Sequence, residues 1–169
     1  MDKDIYIEQE RLKLLQYWAS LVFGPGVFII ISLTALDYFA TPENFPKFLI
    51  IRLISAALIV PLFFLNRLRV SKFYQLGLIT LGALVVSAMV ELMILSFGGH
   101  QSSYYVGMII IYMFSLGFLP FFSVRITLFF ASLTYCIYLF PILAFDHITN
   151  MRVFVTSNIF LISIIITSI

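Results

Sequence analysis

Six apolar segments, each close to the length of one membrane crossing, alternate with short polar breaks along this 169-residue chain. They lie at approximately 17–39, 46–65, 73–96, 104–122, 127–145 and 153–169. A helix needs roughly 20 apolar residues to cross a bilayer. Lipid cannot satisfy free backbone groups, so such segments must be helices or strands of a closed barrel. No ten-residue alternation of apolar and polar residues suggests a barrel. The breaks have turn chemistry: Thr41-Pro42-Glu43-Asn44-Phe45-Pro46, Asn66-Arg67-Leu68-Arg69, Gly98-Gly99-His100-Gln101-Ser102-Ser103, Ser123-Val124-Arg125 and Asp146-His147-Ile148-Thr149-Asn150. The expected fold is an all-α integral membrane protein, a six-transmembrane helix bundle.

Composition supports this. Apolar types make up 62% of the chain and charged types 11%. Soluble domains carry about 25% charge. A soluble domain of this size leaves too much surface exposed to hide so many apolar side chains. A net charge of +2, with no clustered basic face, argues against nucleic acid as a partner. The single cysteine, Cys136, excludes an internal disulfide. No Cys/His set has zinc spacing, so no metal and no cofactor is expected.

Residues 1–16 form a separate N-terminal segment. Asp2, Lys3, Asp4, Glu8, Glu10, Arg11 and Lys13 are seven of the chain's eighteen charged residues. Mixed charge and the lack of a small-residue cleavage site exclude a signal peptide. Ile5, Leu12 and Leu15 could share one face of an amphipathic helix on the membrane surface. A solvated tail leading into the first span fits equally well. Gly24-Pro25-Gly26 should kink the first span.

Orientation follows the Lys/Arg asymmetry. Six spans place both termini on one side with Lys3, Arg11, Lys13, Arg67, Arg69, Lys72 and Arg125. Lys47, Arg52 and Arg152 lie on the other side. Both termini are therefore expected in the cytoplasm. The last segment ends without a basic stop or polar tail. The expectation is that the chain stops inside a sixth helix, ahead of a cytoplasmic output domain.

Small and polar residues mark the packed faces of membrane helices. In the third segment these are Thr80, Ala83, Ser87 and Glu91; in the fourth, Tyr105, Met108, Tyr112 and Ser115. In the fifth they are Thr127, Ala131, Thr134, Tyr138 and Pro141, and in the sixth Thr156, Ser163 and Thr167.

Ionisable residues inside membrane segments are costly and face partners or wet cavities. Glu91 lies about 7 Å inside one end of its segment at 1.5 Å per residue. Arg52 lies at a similar depth, and Asp37 is near the end of the first span. Arg52 could pair with Glu91 or with Asp37. The same residues, with Tyr105, Tyr112 and Tyr138, could instead ring a ligand pocket in the outer leaflet. His100 and His147 read as residues of outer surface loops.

No HExxH, GxSxG, P-loop or pair of intramembrane aspartates is present, so no catalytic residue and no enzymatic activity is expected of this chain. No ring of charges or pair of broken helices marks a channel or transporter.

The stretch Gly98-Gly99-His100-Gln101-Ser102-Ser103-Tyr104-Tyr105-Val106-Gly107-Met108 resembles the GG-x-x-S-x-Y-Y-x-G-L phrase of six-helix N-terminal membrane domains in bacterial signalling proteins. FPKFLIIRLISAAL, with Arg52 early in the second span, is similar to the same domains. The resemblance covers about residues 15–169. Gly98, Gly99, Ser102, Tyr104, Tyr105 and Gly107 match the phrase. The family often has Pro where this chain has Ser103, a departure that bears on the start of the fourth helix.

Such domains precede histidine kinase, nucleotide cyclase or diguanylate cyclase modules, and include receptor kinases for α-hydroxyketone quorum-sensing autoinducers. The resemblance implies a sensory, dimeric domain in the bacterial inner membrane that regulates a cytoplasmic module. Short loops leave no room for a large external sensor. Any ligand would have to be recognised among the helices, which suits a small amphiphilic molecule. Two other functions compete with this one: a small transporter or channel-like protein, and a passive anchor or dimerisation module.

Overall fold

The computed structural model describes residues 3–68, 71–108 and 123–167. Every regular element among these residues is helical. Among the described residues, four helical stretches are long and apolar enough to cross a membrane: Tyr6–Ala40, Phe45–Leu65, Lys72–Ser96 and Val124–Phe145. A shorter apolar helix covers Met151–Thr167. The chain divides into two compact units, Met1–Val85 and Val86–Ile169.

In the first unit, the stretch ending at Ala40 is built from three pieces. Helix α1 (Lys3–Phe23) runs without interruption from the charged N-terminal segment into apolar sequence. It ends at Gly24, and α2 (Pro25–Ser32) starts on a proline. Proline has no N–H to donate and is tolerated at the first helical turn, where none is needed. After Leu33 the chain re-enters a helix as α3 (Thr34–Ala40).

Helix α4 (Phe45–Leu65) also opens with a proline in its first turn, Pro46. It buries Phe48, Arg52, Ser55, Ala56, Ile59 and Leu62. Apart from the adjacent Ser55 and Ala56, they recur at three- and four-residue steps, which puts them on one face. Leu53, Ile54, Leu58 and Phe64 are exposed, an apolar outer surface suited to lipid.

Asn66, just after α4, ties α1, α4 and the next helix together. Its side-chain amide donates to the Gln16 carbonyl at 2.9 Å and to Ser20 Oγ at 2.8 Å. Its own carbonyl accepts from the side-chain amides of Gln16 at 2.5 Å and Gln75 at 3.3 Å. Tyr74 OH donates to the Leu65 carbonyl at 2.8 Å. The last carbonyls of a helix lack intrahelical donors, and these side chains supply them.

Helix α5 (Lys72–Ser96) begins in the first unit and ends in the second. Its length, about 37 Å at 1.5 Å per residue, exceeds a hydrocarbon core of about 30 Å. In the second unit its buried residues include Ser87, Met89, Val90, Glu91, Met93 and Ile94. Two short 3₁₀ turns follow, Gly99–Gln101 and Ser103–Tyr105.

Helix α6 (Val124–Phe145) buries Thr127, Ala131, Thr134 and Tyr138, four of the five residues expected on its packed face, together with Phe130 and Ile142; the fifth, Pro141, is half-buried. Helix α7 (Met151–Thr167) departs from expectation. Its buried residues are Ser157, Asn158 and Leu161. Thr156, Ser163 and Thr167 are exposed, and each hydroxyl donates to the carbonyl four residues earlier. A hydroxyl satisfied by its own helix needs no neighbour, so it can face outward. Asn158 carries the interhelical contact instead, accepting at Oδ1 from Tyr135 OH at 2.7 Å.

Candidate functional site

In the first unit, Arg52 closes on Asp37. Arg52 Nε donates to Asp37 Oδ2 at 2.7 Å and Nη2 to Oδ1 at 3.2 Å. Nη1 donates to the Ile30 carbonyl at 3.2 Å. That carbonyl lies in the last turn of α2, where backbone acceptors run out of intrahelical donors. The break at Leu33 therefore helps to set up the pair. Both side chains are buried. A two-pronged guanidinium–carboxylate contact is the geometry in which a buried pair best offsets its desolvation.

In the second unit, Tyr138 lies within electrostatic range of both Glu91 and Tyr105. Ser87, one turn before Glu91, shares its helix face. Exposure is 3% for Glu91 and 0% for Ser87 and Tyr138. Among the described residues, both Glu91 carboxyl oxygens, Ser87 Oγ and the Tyr138 hydroxyl have no hydrogen-bond partner. Each such group costs about 1–3 kcal/mol in lost hydration. Buried polar atoms are nearly always satisfied, so these four oxygens, three on α5 and one on α6, stand out. Tyr105 is half-buried. Tyr112 lies outside the described residues, as does Ser115.

Tyr138 also touches the path to α7. Its ring lies 6.4 Å from that of Tyr135, whose hydroxyl is bonded to Asn158. One side chain therefore separates the unmatched cluster from the last helix.

The Gly98–Gly107 stretch builds the turn after α5. Gly98 and Gly99 have φ of +91° and +56°, left-handed values that glycine adopts without strain. A Cβ on Gly99 would overlap the Asp146 carboxylate. Ser102 is buried, and its Oγ accepts from the Tyr104 N–H at 3.2 Å. Tyr104 packs edge-on against Phe97 at 5.6 Å. The next helical turn includes Val106–Met108. A Cβ on Gly107 would sit 2.9 Å from Val90 Cγ1, so glycine allows close approach to α5.

His100 is not a surface-loop residue. It is 3% exposed. Its ring Nδ1 and its backbone N both lie 2.7 Å from Asp146 Oδ2, and its Nε2 accepts from the Asn150 N–H at 3.2 Å. Burial at the end of α6 disfavours the Asp146 charge, yet the bonds from His100 outweigh it and hold the carboxyl below its ordinary value of 3.8. His147 is exposed.

Sequence reading missed Asn66, Gln75 and Asn158 because amides carry no charge to flag them. Their signal was an amide at a helix end or inside an apolar run. No protein-family model, curated protein or solved structure matches the chain.

Proposed function

We propose that this chain is the six-helix membrane domain of a bacterial signalling receptor, set in the inner membrane as a multi-pass homodimer with cytoplasmic termini. It binds a small amphiphilic molecule and controls a cytoplasmic kinase or cyclase module. The polar end of the ligand meets Ser87, Glu91, Tyr105 and Tyr138, with Tyr112 a further candidate. The apolar end lies among the surrounding side chains.

The observation that carries this reading is the unmatched set of buried oxygens on α5 and α6. Intramembrane ionisable groups without partners are functional-site candidates by default. A ligand hydroxyl or amine would supply the missing donors. The resemblance of Gly98–Gly107 to sensory membrane domains supports the same reading. The contact from Tyr138 through Tyr135 to Asn158 gives a route by which binding could bias α7. A ligand shifts such an equilibrium only by its differential affinity for the two arrangements.

The test is thermal unfolding of the chain in lipid nanodiscs with decanol, a ten-carbon α-hydroxyketone, decylamine or decanoate. At least one should raise the melting temperature, and Glu91→Gln with Tyr138→Phe should abolish that rise. Equal behaviour of wild type and double variant with all four would refute the site.

A transporter shares the buried Glu91. Proton or solute flux in proteoliposomes that is lost in Glu91→Gln would favour that second reading.

A further inference from the structure

The contacts of His100 fix its protonation pattern. The Asn150 N–H can only donate, so Nε2 must accept. The ring proton then sits on Nδ1 and is donated to Asp146 Oδ2 at 2.7 Å. The neutral ring is thus a two-ended link, with the end of α6 on one side and the approach to α7 on the other.

Asn150 is where α7 begins. Its Oδ1 accepts from the Val153 N–H at 3.3 Å, and its carbonyl accepts from the Phe154 N–H at 3.1 Å. His100 therefore holds the residue that caps α7. Gln101 adds a second tie from the same turn, donating to Thr149 Oγ1 at 2.8 Å.

We propose that His100 is an acid-sensitive latch: protonation of its ring releases Asn150 and loosens the start of α7. A second ring proton turns Nε2 from acceptor to donor. The Asn150 N–H then faces another donor and loses its bond. The Nδ1 contact to Asp146 survives and becomes a charge pair, so release is one-sided. Histidine is the side chain suited to such a change in the weakly acidic range.

The charged group in contact with the ring, among the described residues, is Asp146. His147 in the same loop meets that carboxylate through its backbone. Arg152 lies in the first turn of α7 and is exposed, and on the α5 side the nearest ionisable residue in sequence is Glu91. That α7 carries a response rests on the function proposed above; the latch itself is tested without it.

The test is hydrogen exchange of the Asn150–Phe154 amides in nanodiscs, corrected for the intrinsic pH dependence of exchange. Losing one hydrogen bond should lower protection roughly tenfold between about pH 7.5 and about pH 5.5. In His100→Gln the protection should not change with pH. Unchanged protection in the wild type, or an equal acid loss in His100→Gln, would overturn the latch. If the variant does not fold, nitrogen NMR of wild-type histidine decides. A neutral ring protonated at Nδ1 supports the proposal, and one protonated at Nε2 overturns it. Failure of every amphiphile to bind would leave the latch intact, and flat exchange would leave the ligand site intact.

Discussion

Arg52 of α4 holds both carboxylate oxygens of Asp37 in α3, at 2.7 and 3.2 Å. The two residues are fifteen positions apart, joined by the turn at Thr41–Asn44. Thr41 adds to the turn by donating its hydroxyl and its N–H to the Asp37 carbonyl. The pair thus fixes how α3 and α4 meet. Removing one partner strands a buried charge, which costs about 3–5 kcal/mol. Arg52→Ala or Asp37→Ala should therefore lower thermal stability sharply. Asp37→Leu combined with Arg52→Met should be milder than either, and a double-mutant cycle in detergent or nanodiscs measures the difference.

Gly99 should tolerate no side chain. Gly99→Ala meets a left-handed backbone cost of about 1–2 kcal/mol and drives a methyl into the Asp146 carboxylate. Gly77 in α5 has open space around it. Gly77→Ala should raise stability by up to about 1 kcal/mol through helix propensity. Melting temperatures of the two variants should move in opposite directions.

The packed faces of α5 and α7 predict another contrast. Ser87 is fully buried, and Ser87→Leu should cost about 1–3 kcal/mol by overpacking. Thr156 is exposed on α7, and Thr156→Leu should stay within about 0.5 kcal/mol. Equal effects on detergent unfolding would contradict the assigned faces.

Much of this architecture was readable from residue pattern. Apolar density and length indicate membrane-crossing helices, and the alternating four- and three-residue steps of Thr127, Ala131, Thr134 and Tyr138 mark a buried face. Charge marked Asp37, Arg52 and Glu91 as residues needing partners. Sequence left two partners open for Arg52 because both acids suited it. The break at Leu33, which places Asp37 and the Ile30 carbonyl together, has no Gly or Pro to announce it. The polar face of α7 was misplaced because Ser and Thr can satisfy themselves within a helix whereas Asn158 reaches across. His100 looked exposed because its partners lie forty-six and fifty residues downstream.

Asp146 gives a pH prediction. Its carboxyl is held below the ordinary value of 3.8 by the bonds from His100. A depressed folded-state value stabilises the fold above the unfolded-state pKa and loses that contribution as pH falls through the folded value. Unfolding should therefore become easier in the acid range beneath 3.8. Asp146→Asn should be less stable than wild type near neutrality and lack that component of acid loss. Chemical unfolding across pH tests it.

Occupation of the Ser87–Glu91–Tyr138 cluster by an amphiphile is expected to reposition α7. Cys136 is exposed on α6, and Ser163 is exposed on α7. Spin labels at Cys136 and at a Ser163→Cys position report the distance between the two helices in nanodiscs. Addition of the amphiphile that raises the melting temperature should shift that distance distribution, and Glu91→Gln should abolish the shift. A distribution that stays unchanged while the amphiphile is bound would contradict the account.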